Sequence, residues 1–227
     1  MWGFSVIFLT WIYYSFIGGI VEVIGFFISN KKLALDRGFL IGPIIPIFGF
    51  GSLLIIWLVP VDVNIFVLFA SCVFICGLLE FIVSYFMEKI FKLRWWDYSS
   101  KRFNIDGRIE LINCLLFGVG GVIIIKFLQP LFNSYIYSIP NYVVYLSTIL
   151  LFILVFVDFI ISCIGAFSLK SKVIKIINAD SYDLHKENVI NLITSSDFFT
   201  KRLLKIFPNI LKILQSIKSY DFNDKNK

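Results

Sequence analysis

The sequence predicts an all-α membrane protein: a five-helix transmembrane bundle with a broken or re-entrant second span and a cytosolic amphipathic helical tail. Three observations predict it. Hydrophobic residues make up 59% of the 227 residues and mean hydropathy is +0.87, whereas a soluble domain is about 45–50% apolar. Only 16% of residues are charged, against roughly 25% in soluble chains. The charges fall between apolar runs, each near the ~20 residues that a bilayer requires. One water-soluble core of this size cannot bury such an excess, so lipid is the solvent for most of the chain.

The apolar runs place spans at 3–28, 39–59, 64–88, 110–128 and 142–167, forming a transmembrane domain over 1–167. The connections are 29–38, 60–63, 89–109 and 129–141, and a basic polar tail runs over 168–227. Of the 21 Lys and Arg residues, 20 lie in 29–38, 89–109 and the tail, which five spans put on one side. That side is cytosolic by the positive-inside rule, giving an N-terminus outside and a C-terminus inside. The exception, Lys126, lies near the far end of the fourth span, where its long stem can snorkel outward. The first apolar run has no basic residue before it and no small-residue cleavage site, so it reads as a mature span.

Positive-inside topology also accounts for the net charge of +6 and a pI of about 9.1. No basic, aromatic-bearing module is present, so nucleic acid is not an expected partner. Cys72, Cys76, Cys114 and Cys163 all sit in apolar runs, which gives no disulfide framework. Cys72 and Cys76 share a helix face, but no His or second Cys pair accompanies them. They read as packing residues, and no metal site is expected.

Polar residues inside the spans fall on single helix faces. Ser15, Gly18, Glu22, Gly25 and Ser29 form one stripe, and Gly77, Glu80, Ser84 and Glu88 another. Gly107, Glu110, Cys114, Gly118 and Gly121 begin the fourth span, and Asp158, Ser162 and Gly165 mark the fifth. Such faces let helices approach closely, so they are expected to meet inside the bundle. A carboxylate in lipid costs about 2.5–3.5 kcal/mol on insertion scales, so Glu22, Glu80 and Asp158 must face protein, water or one another. At ~1.5 Å per residue they lie about 9, 12 and 14 Å from the cytosolic ends of their spans, so a site there opens to the cytosol. The competing reading is a structural hydrogen bond between helices. Glu88, at the span border, is also open to simple solvation.

The second span opens irregularly. Pro43 and Pro46 each remove a backbone donor, and Gly38, Gly42, Gly49 and Gly51 permit non-helical angles. Irregular backbone at membrane depth needs protein cover or a wet cavity. A broken or re-entrant start beside Glu22 and Glu80 is therefore expected, with a kinked ordinary helix as the alternative.

In loop 89–109, Trp95 and Trp96 suit the membrane interface. Asp97, Asn104 and Arg108 need a further reason. Four of the five arginines lie in the two membrane-proximal cytosolic loops, and arginine offers a planar fork for carboxylate or phosphate. Arg37 or Arg108 is expected either to pair with Glu80 or Glu88, or to hold a lipid or substrate phosphate. In the tail, residues 189–207 and 210–218 read as basic amphipathic helix lying on anionic lipid or on a partner subunit. No P-loop, dinucleotide fingerprint, H-E-x-x-H or nucleophile-elbow motif occurs in these residues. No cofactor and no catalytic residue is therefore expected, and an enzyme is the less favoured class.

Two stretches carry a family resemblance. Arg37-Gly38-Phe39-Leu40 with Gly42-Pro43 and 46–51 resembles the first signature of the bacterial family named Putative ABC-transporter type IV. Glu80, Ser84-Tyr85, Met87-Glu88-Lys89, 95–99, Phe103-Asn104 and Gly107-Arg108-Ile109 resemble its second. Arg202-Leu203-Leu204 with Phe207-Pro208 is similar to its short tail motif, so the resemblance runs over about 10–210. Asp36 and Phe48 depart from it, where Asn and Tyr are common.

The resemblance implies a permease-like component of the bacterial cytoplasmic membrane that lacks its own ATPase. Its partners would be membrane lipids, a separate ATPase or membrane subunit, or further copies of itself. The expected site comprises Glu22, Arg37, Glu80, Glu88, Asp97, Asn104 and Arg108, binding a substrate or ion in a cytosol-facing cavity. The alternatives are a non-catalytic scaffold or regulator of a partner protein, and a lipid-modifying enzyme with Glu80 or Glu22 as base and Arg37 and Arg108 on a phosphate.

Overall fold

Among the described residues, four helices are long and apolar enough to cross a membrane, covering Trp2–Ile28, Ile65–Phe91, Leu111–Ser138 and Asn141–Ile176. The structure, a computed structural model, describes residues 1–31, 38–91, 94–178, 188, 190–192 and 198–206. Its elements are α1 (Trp2–Asn30), α2 (Pro46–Leu58), α3 (Ile65–Phe91), β1 (Asn104–Ile105), β2 (Ile109–Glu110), α4 (Leu111–Ile123), α5 (Gln129–Ser138), α6 (Asn141–Ile177) and α7 (Phe198–Ile206). They form two compact units. One comprises Met1–Tyr85 and Asp97–Asp158, the other Phe86–Trp96 and Phe159–Lys227.

In the first unit, α1 ends at Lys31, whose left-handed backbone (φ 54°) lets its N–H donate to the Phe27 carbonyl at 2.8 Å. The segment expected to span 39–59 is not one helix. Residues 38–45 are irregular, and α2 begins only at Pro46, whose fixed φ suits a first helical position. Its 13 residues reach only about 20 Å. Gly38, Gly42 and Pro43 thus lie in the irregular part. Gly49 and Gly51, expected to disturb the helix, sit within regular α2. They serve packing instead: a Cβ on Gly49 would collide with Ser15 Oγ and approach the Trp11 carbonyl oxygen to 2.6 Å. Close backbone approach between α1 and α2 is what a membrane helix pair needs from glycine.

The stripe on α1 holds only in part. Ser15 and Gly18 are buried, but Gly25 is exposed with open space beside it; the side chain of Ser29 lies outside those described. On α3 and α4 the expected faces do meet. A Cβ on Gly77 would touch Cys114 Sγ at 3.2 Å, and Gly118 and Gly121 press on Val73, Phe69 and Cys72.

The stretch 129–141, expected to be a connection, is helical as far as Ser138. α4 passes through a π-helical turn, Ile124–Leu128, directly into α5. Polar residues there suggest a loop, but they are satisfied within the protein. Tyr14 donates to Gln129 Oε1 at 2.8 Å, and Gln129 Nε2 donates to Asn133 Oδ1 at 2.9 Å. Lys126 donates to the Val61 carbonyl at 2.6 Å rather than only reaching for solvent. One apolar cluster gathers Ile55, Val59, Leu68, Cys72 and Ile125. Another joins Phe132, Ile136 and Val144 to Trp2, Val6, Leu9 and Tyr13.

In the second unit, Phe91 packs on Trp95 and Phe167 with ring centroids 5.5 and 5.2 Å apart. Lys170 donates to the Ile90 carbonyl at 2.8 Å, a cation at a helix C-terminus. The tail helix α7 does not lie wholly on a surface. Thr200, Arg202, Leu203 and Leu204 are buried, and Lys172 donates to Thr200 at 2.7 Å. Phe207, Pro208 and 210–218 lie outside the described residues.

Candidate functional site around Glu80

Loop 97–110 organises itself before it touches any helix. β1 and β2 pair antiparallel, with Asn104 opposite Glu110 and Ile105 opposite Ile109. Asp106 (φ 52°) and Gly107 (φ 63°) take left-handed backbone between them, and the Arg108 N–H donates to the Ile105 carbonyl at 3.0 Å. Paired positive φ angles define a type I′ turn, for which Asp-Gly is a preferred sequence. The Asn104 side chain accepts from the Gly107 N–H at 2.8 Å and donates to the Lys101 carbonyl at 2.6 Å. Asp97 Oδ1 accepts from the Ser99 N–H at 2.9 Å and from the Ser99 hydroxyl. These are the local side-chain-to-backbone bonds that Asn and Asp make in turns.

Arg108 fastens this hairpin to α3. Its Nε lies 2.6 Å from Asp106 Oδ2, and Nη1 points to Ser84 Oγ at 3.5 Å. The guanidinium lies over the Phe81 and Tyr85 rings, 5.8 and 5.5 Å from their centroids. Ion pairing and ring stacking at once is work that a planar guanidinium does and an ammonium does not.

The hairpin in turn places Tyr98. Its N–H donates to the Gly107 carbonyl at 2.8 Å, and its own carbonyl accepts from the Lys101 N–H at 2.8 Å. Its hydroxyl donates to Glu80 Oε1 at 3.2 Å. Burial, then the Glu80 and Glu22 carboxylates, push the phenol well above its ordinary value. Tyr98 therefore stays neutral and a donor.

Glu80 is the centre of the arrangement. It is 5% exposed, and its Oε2 is buried with no hydrogen-bond partner among the described residues. Glu22 and Glu110 lie within electrostatic range of it, and Glu110 is itself buried at the start of α4. A buried carboxylate among acids, with one oxygen unmatched, is set up to take a proton, a cation or a donor group.

Five of the residues expected at a site therefore fall in this unit, in different roles. Glu80 and Glu22 form the acidic centre, Arg108 clamps the hairpin, and Asp97 and Asn104 shape its backbone. Arg108 makes no ion pair with Glu80. Glu88 belongs to the other unit, where Arg94 Nε is 3.2 Å from its Oε2. Arg37 lies outside the described residues. Tyr98 and Glu110 join the residues around Glu80, though neither is among the residues expected at the site. Asp106-Gly107, between Ile105 and Arg108-Ile109, is the signal for the hairpin that brings Tyr98 in.

No curated protein and no solved structure matches the chain. The family description Putative ABC-transporter type IV matches residues 9–163, well over half the chain, and leaves the tail motif at 202–208 outside the match. A multi-pass arrangement of apolar helices and a match across the Glu80 hairpin lead to one conclusion: the chain belongs to the Putative ABC-transporter type IV family and is a transport-related membrane protein.

Proposed function

We propose that the chain is a permease-like component of a transporter in the bacterial cytoplasmic membrane, with Glu80 as the group that takes up a proton or cationic cargo from the cytosolic side. The observation that carries this reading is the unmatched Oε2 of a carboxylate that is otherwise buried. A carboxylate in a membrane helix is costly and marks a transport pathway by default. The surrounding acids, Glu22 and Glu110, favour a positive occupant. The distribution of lysine and arginine supports an N-terminus outside and a C-terminus inside. A 13-residue α2 preceded by irregular backbone supports a second span broken at its start, of the kind that transporters build near their binding sites.

The 227 residues contain no P-loop, so an ATP-driven cycle would place hydrolysis outside them, and the family supports association with an ATPase. The phosphate-holding alternative loses support at Arg108, whose guanidinium is engaged by Asp106 and by two rings.

The test is proton flux into vesicles carrying the purified protein, with a pH-sensitive dye inside and an imposed membrane potential, repeated with added Na⁺, K⁺ and a methylammonium salt. Wild-type protein is expected to conduct at least one of these ions, and Glu80→Gln to abolish that flux. Equal flux in wild type and E80Q, or no flux of any of them in wild type, would contradict the reading.

A further inference from the structure

The irregular segment 38–45 is held by a carboxylate from far along the chain. Asp158 Oδ1 accepts from the Ile41 N–H at 2.8 Å, and Oδ2 accepts from the Gly42 N–H at 2.9 Å. Each oxygen thus takes one of two consecutive backbone donors. In a membrane, such donors outside a helix must be matched by protein. Gly42 makes room for the contact, since a Cβ there would lie 3.2 Å from Oδ2. Pro43, next in line, has no N–H to offer. A second tether follows at once, from the Ile45 N–H to the Ser15 carbonyl of α1 at 3.1 Å. The segment is therefore tied to backbone on α1 and to a side chain on α6.

We propose that Asp158 is a positioning residue: it fixes the course of residues 38–45, and it is the fastening released when that segment moves during transport. A charged acceptor shared by two donors holds firmly, yet one side-chain rotation frees both. That gives two discrete arrangements, which is what a gating segment requires. The second half of the proposal rests on the transport reading; the first does not.

The experiment is residue-resolved amide hydrogen exchange on the full chain in lipid nanodiscs, for wild type, Asp158→Ala and Asp158→Asn, with vesicle flux measured in parallel. D158A is expected to speed exchange at Ile41 and Gly42 about tenfold or more, the equivalent of one lost charge-assisted hydrogen bond. D158N should do so by less, because its amide oxygen still accepts one bond. Amides of α3 and α4 should be unchanged, and flux should fall in both variants. Unchanged exchange at Ile41 and Gly42 would overturn the tether. A uniform rise along α1, α3 and α4 would make Asp158 an ordinary stability residue and overturn its positioning role. Fast local exchange with normal flux would overturn the release step alone and leave the Glu80 reading to its own test. Should D158A fail to fold, the near-isosteric D158N carries the comparison.

Discussion

Replacing Tyr98 with phenylalanine removes one oxygen atom and keeps the ring. In the wild type, that oxygen donates to Glu80 Oε1 at 3.2 Å. Glu80 is 5% exposed and its other oxygen already lacks a partner. The variant would leave both carboxyl oxygens buried and unmatched. Stranding a buried acceptor costs about 1–3 kcal/mol, more for a charged one. For a chain of this size each kcal/mol lowers the thermal midpoint by about 2–4 °C. The assay is thermal or SDS-driven unfolding of wild type, Y98F, Glu80→Leu and the double variant. In the E80L background there is no carboxyl to strand, so Y98F should be close to neutral, and the coupling between the two sites should lie in the range of about 0.5–3 kcal/mol. Additivity within about 0.3 kcal/mol would refute the argument that the phenol acts through Glu80.

Other perturbations follow from neighbouring contacts. Arg108→Lys keeps the charge but cannot pair with Asp106 while also holding a planar cation over Phe81 and Tyr85. It should loosen the hairpin by about 1–2 kcal/mol and raise protease cleavage within 97–110. Gly49→Ala would push a methyl into Ser15 and the Trp11 carbonyl and should cost about 1–3 kcal/mol by the same unfolding assay. Gly25→Ala, which enters open space, should be neutral or gain up to about 1 kcal/mol. The Tyr98 phenol binds its proton more tightly folded than unfolded. Its contribution is therefore complete below the ordinary phenol value of 10.0 and is lost as pH rises beyond it. A stability profile from pH 8 to about 12 should fall more steeply in wild type than in Y98F.

The lipid-facing helices were legible because apolar composition is a property of whole segments. The break ahead of Pro46 was legible for a related reason, since two prolines cannot be accommodated silently in one helix. What was hidden depended on pairing between distant residues. Gln129 and Asn133 look like loop residues until Tyr14 supplies the hydrogen bond that lets a helix carry them. Asp97 and Asn104 look like ligands because their side chains are polar and near other polar groups, yet nearby N–H and hydroxyl groups claim their oxygens first. Asp158 reads from sequence either as a functional carboxylate or as a structural hydrogen-bonding one. Its partners are main-chain amides more than a hundred residues away, and no side-chain pattern announces them. Tyr98 follows Trp95 and Trp96, which read as interfacial, and only the Asp106-Gly107 turn explains why it faces inward.

The wide turn at Ile124–Leu128 has a consequence for how one membrane-length rod serves two sets of neighbours. An α-helix advances about 100° per residue, and a π-type turn absorbs one extra residue without breaking the rod. The half before it presents Gly118 and Gly121 to α3. The half after it presents Phe132 and Ile136 to Trp2, Val6, Leu9 and Tyr13 of α1. Removing a single residue from the wide turn would straighten the rod and swing those aromatic and aliphatic knobs about a quarter of a circle away from their sockets. The chain would lose one residue and, with it, the docking of an entire helical half.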